Sequence, residues 1–245
     1  MNEKTKFRQG SQVKHQMKKF GAYFPKEMNL NFNMLDDPIS LGSLTSLVVS
    51  SRQVFAKLVQ NFYHYTVDST DLKLFDDRYK PLKMDELMII TDILGYDVNS
   101  AATLKLIYKD LEEQISENPE VKTKIENLLG EVTTLINKEV LHFEIDLESD
   151  EITLVEAFKA LGIQVEIKSD TIFERVLEVI QVFKYLTKRK LLMFVNLGTY
   201  LTSAELLSLE EYVILQNIQV LLIDNAEFSG VKKQYIIDED YVLLP

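Results

Sequence analysis

Short blocks of apolar residues dominate the part of the chain that follows residue 28. The alternation in "NLNFNML" and the compact apolar block in "TSLVVSS" both predict β-strands. A helical period follows in "RQVFAKLVQNFYHY", and "DLKLFDD" predicts a further strand. This part of the chain therefore predicts strands of one sheet with a covering helix.

The spacing of the apolar residues becomes helical between about 84 and 143. We predict one helix in "MDELMIITDIL" and a longer one in "NSAATLKLIYKDLEEQI". The next helix has a well-marked start, with Asn118 as its cap and Pro119 at its first position. Two long amphipathic helices joined by a short turn pack as an antiparallel hairpin, so this region predicts a helical lobe.

After residue 150 the predicted helices alternate with short apolar strands. These strands are predicted in "IQVEI", "LLMFVN", "VLLID" and "KQYIIDEDYVLL". Such alternation is typical of a mainly parallel sheet covered by helices on both faces. The predicted fold is therefore an α/β head formed by 28–83 and 151–245, with an inserted α-helical leg over 84–150.

Charge is unevenly distributed along the chain. Residues 1–27 hold seven lysines and arginines and only two acids, whereas the whole chain has a formal net charge of −11. We predict that 1–27 is a basic extension, either disordered or upstream of a natural start at Met28; the other interpretation is a basic arm that binds nucleic acid. The acidic remainder opposes nucleic-acid binding unless basic residues are grouped or a cation neutralises part of the charge.

Composition excludes several kinds of site. The chain has no cysteine, so it has no disulfide, zinc thiolate or cysteine nucleophile. No apolar run reaches the roughly 18 residues of a membrane-spanning helix, so we expect no membrane partner. The N-terminus has no apolar h-region of a secretory signal, and together with the lack of cysteine this predicts a cytoplasmic protein. The sequence contains no GxSxG motif, and its histidines show no metal-ligand spacing.

A nucleotide hydrolase is the alternative that the sheet pattern suggests. The strand "VLLI" ends in Asp224, and many nucleotide hydrolases hold a magnesium ion with a carboxylate at the end of a buried strand. However, the sequence contains no GxxxxGK[ST] phosphate loop. A polar residue is also expected at the end of a buried strand, because the sheet meets solvent there. We therefore expect no enzyme activity, and the alternative is an NTPase or nucleotide-binding protein that uses Asp224.

The densest group of charges lies in "FEIDLESDEITLVE", where the helical lobe returns to the head. Asp146, Glu148 and Asp150 alternate, so in an extended loop their carboxylates point to one side. Calcium takes roughly six to eight oxygen ligands in irregular geometry, which this stretch offers without being an EF-hand. The other interpretation is a solvated loop with Asp150 and Glu151 near a helix start.

The run "KYLTKRKLL" groups several basic residues in the C-terminal half of the chain, and others lie elsewhere in that half. They include Lys168, Arg175, Lys184, Lys188, Arg189 and Lys190. The group at 188–190 has a simpler explanation, since cations near the last turn of a helix interact favourably with its dipole. One such group binds DNA weakly, but several copies facing one another in a closed oligomer add their phosphate contacts.

Ordered runs spread over both predicted lobes carry a family resemblance. They are "LKLFDD", "TDILGYDVNSAATLKLIYKDLE", "NPEVK", "SDTIFERVLEVIQVFKYLTKRKLLMFVN", "YLT" and "QYIIDEDY". Together they resemble the short form of the spacer-acquisition protein of type II-A CRISPR systems. The resemblance covers 28–245 and leaves 1–27 outside, which agrees with Met28 as the natural start.

The resemblance implies a head similar to a degenerate P-loop nucleotide-hydrolase fold, a helical leg, and no nuclease or ATPase chemistry. It implies a homotetrameric ring that binds double-stranded DNA through its central hole and engages free ends. It also implies a role in antiviral defence, in which the ring helps to acquire new spacers with the integrase complex and the RNA-guided effector nuclease.

Calcium is the ion that the resemblance implies, as a stabiliser of the ring. The candidate ligands are Asp146, Glu148, Asp150, Glu156 and then Glu151. Bound calcium would offset these carboxylates, so that the acidic body need not repel DNA. The six basic residues named above are then candidates for lining the hole.

Overall fold

A computed structural model describes residues 28–186, 188–238 and 242–244. The extension predicted over 1–27 lies outside the described residues. The chain divides into two compact units, one formed by Met1–Leu94 with Lys188–Pro245 and the other by Gly95–Thr187. Among the described residues, no helix combines the length and the hydropathy needed to cross a membrane.

The described strands all belong to the first unit. They are β1 (Met28–Phe32), β2 (Ile39–Leu41), β3 (Leu44–Val49), β4 (Leu72–Asp76), β5 (Leu87–Ile90), β6 (Leu191–Val195), β7 (Gln219–Asp224), β8 (Gln234–Ile237) and β9 (Leu243–Leu244). The helices are α1 (Arg52–Tyr63), α2 (Ala101–Ser116), α3 (Pro119–Val140), α4 (Leu154–Ala160), α5 (Ile172–Tyr185) and α6 (Ser203–Gln216). Helices α1 and α6 lie in the first unit, and α2 to α5 lie in the second.

The main sheet of the first unit has the strand order β5-β6-β7-β3-β8-β9. All its pairs are parallel except the pair of β8 with β9. Strands β3, β6 and β7 are buried along their whole length. Burial on both faces explains why their sequences are nearly unbroken apolar runs. The predicted mainly parallel α/β sheet is confirmed.

A smaller antiparallel sheet has the order β2-β1-β4. The strands before residue 80 are therefore divided between two sheets, and their prediction as one sheet is wrong. A shared core explains the division. In this core, Leu30 and Leu74 of the small sheet lie together with Leu58 of α1. The same core includes Leu47 and Leu221, on one face of the main sheet. The alternating strands β1 and β4 bury only that inner face.

The described part of the second unit is helical. A core around Tyr108 of α2 includes residues of α3 and α4. The Tyr108 hydroxyl donates to the Ile163 carbonyl at 2.8 Å, and the Asn99 side chain bonds to both backbone groups of Val165. These bonds satisfy part of the backbone of "IQVEI" without a strand partner, so the strand predicted there is wrong.

The segment after residue 83 is a strand and not the predicted helix. Met84–Glu86 forms a single 3-10 turn, and β5 then pairs in parallel with β6. A short apolar block has no decisive period, so the pairing with β6 decides its conformation. The first unit accordingly continues to Leu94, past the predicted boundary at 83. The second unit continues past 150 to Thr187, because α4 shares the core of α2.

Candidate nucleic-acid interface

Two basic segments meet at the amino ends of β5 and β6. These strands are neighbours in parallel register, so residues 80–86 and 188–190, which precede them, lie at the same edge of the sheet. The Lys190 backbone N–H donates to the Glu86 carbonyl at 2.7 Å, and the Lys190 Nζ forms an ion pair with the Glu86 carboxylate. Two segments that are far apart in sequence thus form one surface.

Glu86 lies at the centre of this surface. Its Oε2 accepts a hydrogen bond from the Lys83 backbone N–H at 2.8 Å, in addition to the ion pair with Lys190. Partial burial raises the pKa of Glu86, but the bonds from Lys190 and Lys83 and the charge of Lys80 outweigh it. The pKa of Glu86 therefore lies below its ordinary value, and the carboxylate stays ionised.

The positive side chains around Glu86 form what we call the basic cluster, which consists of Lys80, Lys83, Lys188, Arg189 and Lys190. The lysines are exposed, whereas Arg189 is half-buried and donates through Nη1 to the Met84 carbonyl at 3.3 Å. The same two segments contribute only two carboxylates, those of Asp85 and Glu86. This edge of an otherwise acidic protein is therefore positive, which is the charge that attracts a polyanion.

Sequence reasoning found three members of the basic cluster and missed Lys80 and Lys83. Neither lysine lies in a basic run, and both are far from 188–190 in sequence. Only the pairing of β5 with β6 brings them together. Recognising "LMII" as a buried strand parallel to "LLMFV" would have placed the residues before both strands at one edge.

The other predicted DNA-binding residues, Lys168, Arg175 and Lys184, lie in the second unit. Arg175 is largely buried: its Nη1 pairs with Glu178 at 3.3 Å, and its Nη2 donates to the Tyr96 carbonyl at 2.5 Å. The guanidinium therefore links α5 to the segment that precedes α2. Lys168 forms an exposed ion pair within the same unit. A DNA contact by these three residues stays a prediction.

The predicted calcium ligands do not come together in the structure. Asp146, Glu148, Asp150 and Glu151 lie on an exposed irregular segment after α3. The Glu156 Oε2 accepts hydrogen bonds from the N–H and hydroxyl of Thr153, and these bonds lower the pKa of Glu156. Over 28–186, 188–238 and 242–244, no three His, Asp or Glu side chains are grouped to hold a metal ion. The residues as placed do not fit a calcium site, so calcium stays a prediction.

Asp224 ends β7, but it is fully buried and not at the predicted solvent edge. The Gly198 N–H donates to its Oδ1 at 2.9 Å, while its Oδ2 has no hydrogen-bond partner in the described part of the chain. Burial raises the pKa of Asp224 to about 6. The turns after β6 and β7 close over the carboxylate, with the Phe228 ring so near Gly198 that no Cβ would fit. A carboxylate closed off in this way presents no oxygen to a phosphate-bound metal, which disfavours the NTPase alternative.

These features define an α/β protein with a mainly parallel sheet, a large helical insertion and no phosphate loop in its sequence. A solved structure of the same fold is the "Crystal structure of Stu0660 of Streptococcus thermophilus". The TM-score is 0.55 at 12% sequence identity, over 86% of this chain and 74% of that one. At this identity the likeness concerns the fold alone.

Sequence comparison shows the family. The family model described as "CRISPR-associated protein (Cas_Csn2)" matches residues 64–241. "CRISPR-associated protein Csn2" of Streptococcus agalactiae is 50% identical over 217 residues, covering 89% of this chain and 97% of the relative. The Csn2 protein of Enterococcus faecalis is 50% identical over 216 residues, covering 88% and 98%. The chain belongs to the Csn2 family of CRISPR-associated proteins, which confirms the family resemblance.

Proposed function

We propose that this chain is a non-catalytic protein that binds the ends of double-stranded DNA during the acquisition of new CRISPR spacers. It works in the cytoplasm as a homotetrameric ring, with the integrase complex and the RNA-guided effector nuclease as partners. The observation that carries the DNA-binding part is the basic cluster on an otherwise acidic protein. Membership of the Csn2 family supplies the CRISPR context.

The size of the basic cluster favours an oligomer over a single chain. Each phosphate contact gains affinity by releasing counterions, and a handful of contacts binds weakly at physiological salt. Four copies directed at one duplex add their contacts, because the second and later contacts are intramolecular. The acidic remainder of each chain repels the duplex and so directs it to the cluster.

An apolar stripe on α3 supports self-association. Val121, Leu128, Val132 and Leu135 follow one another at helical spacing, and all four side chains are exposed in the described chain. A contiguous apolar stripe on a surface helix is typical of an interface. A second copy of the chain is the partner that a homotetramer requires.

Calcium is part of the proposal through the family resemblance, with Asp146, Glu148, Asp150, Glu151 and Glu156 as its ligands. Within one chain these side chains do not form a group. The test is sedimentation with calcium and with a chelator, on wild type and on Asp146→Asn/Glu148→Gln. We expect calcium to increase the tetramer fraction of wild type only. An unchanged distribution in wild type would remove calcium from the proposal.

An electrophoretic shift on linear and on relaxed circular duplex of equal length tests DNA-end binding. We expect linear DNA to bind and the circle, which has no end, to bind poorly; equal affinities would contradict end binding. The cluster variant carries Lys80→Gln, Lys83→Gln and Lys188→Gln, which leaves the pair of Lys190 with Glu86 intact. The matched control neutralises three exposed lysines of the second unit, Lys105, Lys109 and Lys124.

Salt dependence separates an electrostatic role of the cluster from misfolding. The slope of log affinity against log salt should fall in the cluster variant by about 0.9 for each phosphate that the protein no longer neutralises. The control variant, with the same change in net charge, should keep more of the slope. Equal slopes in the two variants would show that general charge and not the basic cluster determines binding.

A further inference from the structure

Tyr79, whose backbone conformation is strained, is exposed next to the basic cluster. Tyr79 has a φ of 58°, in the left-handed region that favours glycine and asparagine, and its side chain is 82% exposed. A bulky residue in this conformation costs free energy that glycine would avoid. Residues held in such conformations cluster at ligand-binding and active sites, so this turn is a candidate for one.

The turn that carries Tyr79 is fixed by hydrogen bonds. The Tyr79 N–H donates to the Asp76 carbonyl at 2.9 Å, and the Asp76 N–H donates to the Lys80 carbonyl at 3.0 Å. The Asp76 Oδ1 accepts hydrogen bonds from the N–H groups of Arg78 and Lys80, both at 3.0 Å. The turn thus imposes the strained backbone conformation and fixes the point at which the Tyr79 side chain leaves the chain.

The base of the same turn is anchored in the core. The hydroxyl of buried Tyr65 donates to the Leu82 carbonyl at 2.9 Å, and the Leu82 N–H donates to the Leu74 carbonyl at 2.9 Å. Burial raises the pKa of the Tyr65 hydroxyl above an ordinary value that already keeps the proton at neutral pH. Because the turn is already anchored in the core, it loses less conformational entropy when a ligand binds.

The ring of Tyr79 is arranged as a stacking surface. It lies against Phe75 with ring centroids 5.7 Å apart and an angle of 17° between the ring planes. Exposed cations flank it on both sides in sequence, Arg78 and Lys80, and Lys80 belongs to the basic cluster. An aromatic face between cations is how proteins bind single-stranded nucleic acid, with a base on the ring and phosphates on the cations.

We propose that Tyr79 stacks on an unpaired base at a DNA end, while Arg78 and Lys80 contact the phosphates beside it. Bases inside a duplex are covered on both faces, and the last pair of a blunt end is covered on one face and held in its pair. An unpaired base at a frayed or overhanging end is free to turn its face to the ring. The inference rests on the proposed function and refines it: the protein distinguishes ends that carry unpaired bases from blunt ends.

The test uses the full-length protein and two duplexes, one blunt and one with a short 3′ overhang. A 2-aminopurine base is placed in the overhang, or at the middle of the duplex as a control. The variants are Tyr79→Gly, which removes the ring and relieves the strain, and Tyr79→Phe, which keeps the ring. Tyr63→Ala removes another exposed tyrosine of the same unit as the matched control.

Wild type, Tyr79→Phe and Tyr63→Ala should bind the overhang about fivefold or more tightly than the blunt duplex, and should change the fluorescence of the overhang probe only. Tyr79→Gly should lose both the preference and the fluorescence change, keep its affinity for blunt DNA, and melt at or above the wild-type temperature. A Tyr79→Gly protein that keeps the preference would overturn the stacking role alone. If Tyr79→Gly binds both duplexes as wild type does but no longer binds a purified effector nuclease, Tyr79 contacts a protein and not a base. Failure of wild type to bind either duplex would overturn the proposed function as well.

Discussion

The Gly198 backbone N–H donates a 2.9 Å hydrogen bond to the Asp224 Oδ1, and the Oδ2 of the same carboxylate is buried without a partner in the described residues. One hydrogen bond does not offset the desolvation of a buried carboxylate, so the protonated form is favoured and the pKa rises to about 6. The ionised Asp224 carboxylate therefore destabilises the folded protein at neutral pH and is not arranged as a metal ligand.

The first prediction concerns this carboxylate and pH. Between the ordinary pKa of 3.8 and about 6, the native chain binds more protons than the unfolded chain. The contribution of Asp224 to the free energy of unfolding therefore falls as pH rises through this window, by up to roughly 3 kcal/mol. Asp224→Asn, which keeps an acceptor for Gly198, should melt at a higher temperature than wild type at pH 8, and the difference should shrink at pH 5.

Thermal melts between pH 5 and pH 8 check this expectation. Asp68→Asn, at an exposed position, serves as the control and should track wild type throughout. A difference between Asp224→Asn and wild type that is independent of pH would contradict the assignment.

A second prediction concerns the close approach of Phe228 to Gly198. A methyl group at Gly198 would overlap the ring, so Gly198→Ala should lower the free energy of unfolding by about 1–3 kcal/mol. Gly130→Ala is the contrast: nothing lies near that position inside α3, and the change should stabilise the protein by about 1 kcal/mol. Urea denaturation measures both, and equal midpoints for the two variants would argue against the packed turn.

The third prediction separates stability from DNA binding at the basic cluster. Glu86→Gln removes a negative charge from the cluster and should raise DNA affinity about threefold at low salt, with the effect fading as salt rises. The loss of the partly exposed pair with Lys190 should cost no more than about 1 kcal/mol. Because the pKa of Glu86 is lowered, this stability is present above the unfolded pKa and is lost as pH falls through the folded pKa.

Titrations of labelled duplex at several salt concentrations measure the Glu86→Gln effect. Asp85→Asn, an exposed neighbour with the same charge change, is the comparison. It should raise affinity without the stability loss. An affinity that neither variant changes would show that DNA does not approach this edge.

The fourth prediction concerns assembly. Replacing Leu128 and Leu135 of α3 by glutamine removes apolar surface that is exposed in the single chain. The double variant should keep its helix content and melting temperature but should sediment as smaller species. Leu207→Gln, at an exposed position on α6, should leave assembly unchanged. Wild-type sedimentation of the double variant would exclude this stripe as an interface.

How far the sequence predicts the fold depends on how local the deciding interactions are. The start of α3 is set by Asn118 and Pro119 themselves, and the structure places the cap and first residue there. The unbroken apolar runs of β6 and β7 likewise predict buried parallel strands. The helix prediction at β5 is wrong because four apolar residues have no period, and only the neighbouring strand β6 decides their conformation.

The same distinction applies to the candidate site. Lys188, Arg189 and Lys190 are visible as a run, whereas Lys80 and Lys83 join them only through strand pairing. Tyr79 gives no signal in the sequence, because a tyrosine in a left-handed conformation is set by the hydrogen bonds around Asp76. The sequence places Asp224 at a solvent edge because strand ends usually meet solvent; its burial depends on the turns that follow β6 and β7.

The strand order of the main sheet also determines when the protein can fold during its synthesis. Strand β3 leaves the ribosome early, but its neighbours β7 and β8 come from the far end of the chain. Strand β5 likewise cannot pair with β6 until the whole second unit has been translated. Pairing across such long loops is slow, and unpaired apolar strands are prone to aggregate in the meantime. The yield of folded head should therefore depend on translation rate and chaperones, whereas the second unit, which is continuous in sequence, is free to fold as soon as it emerges.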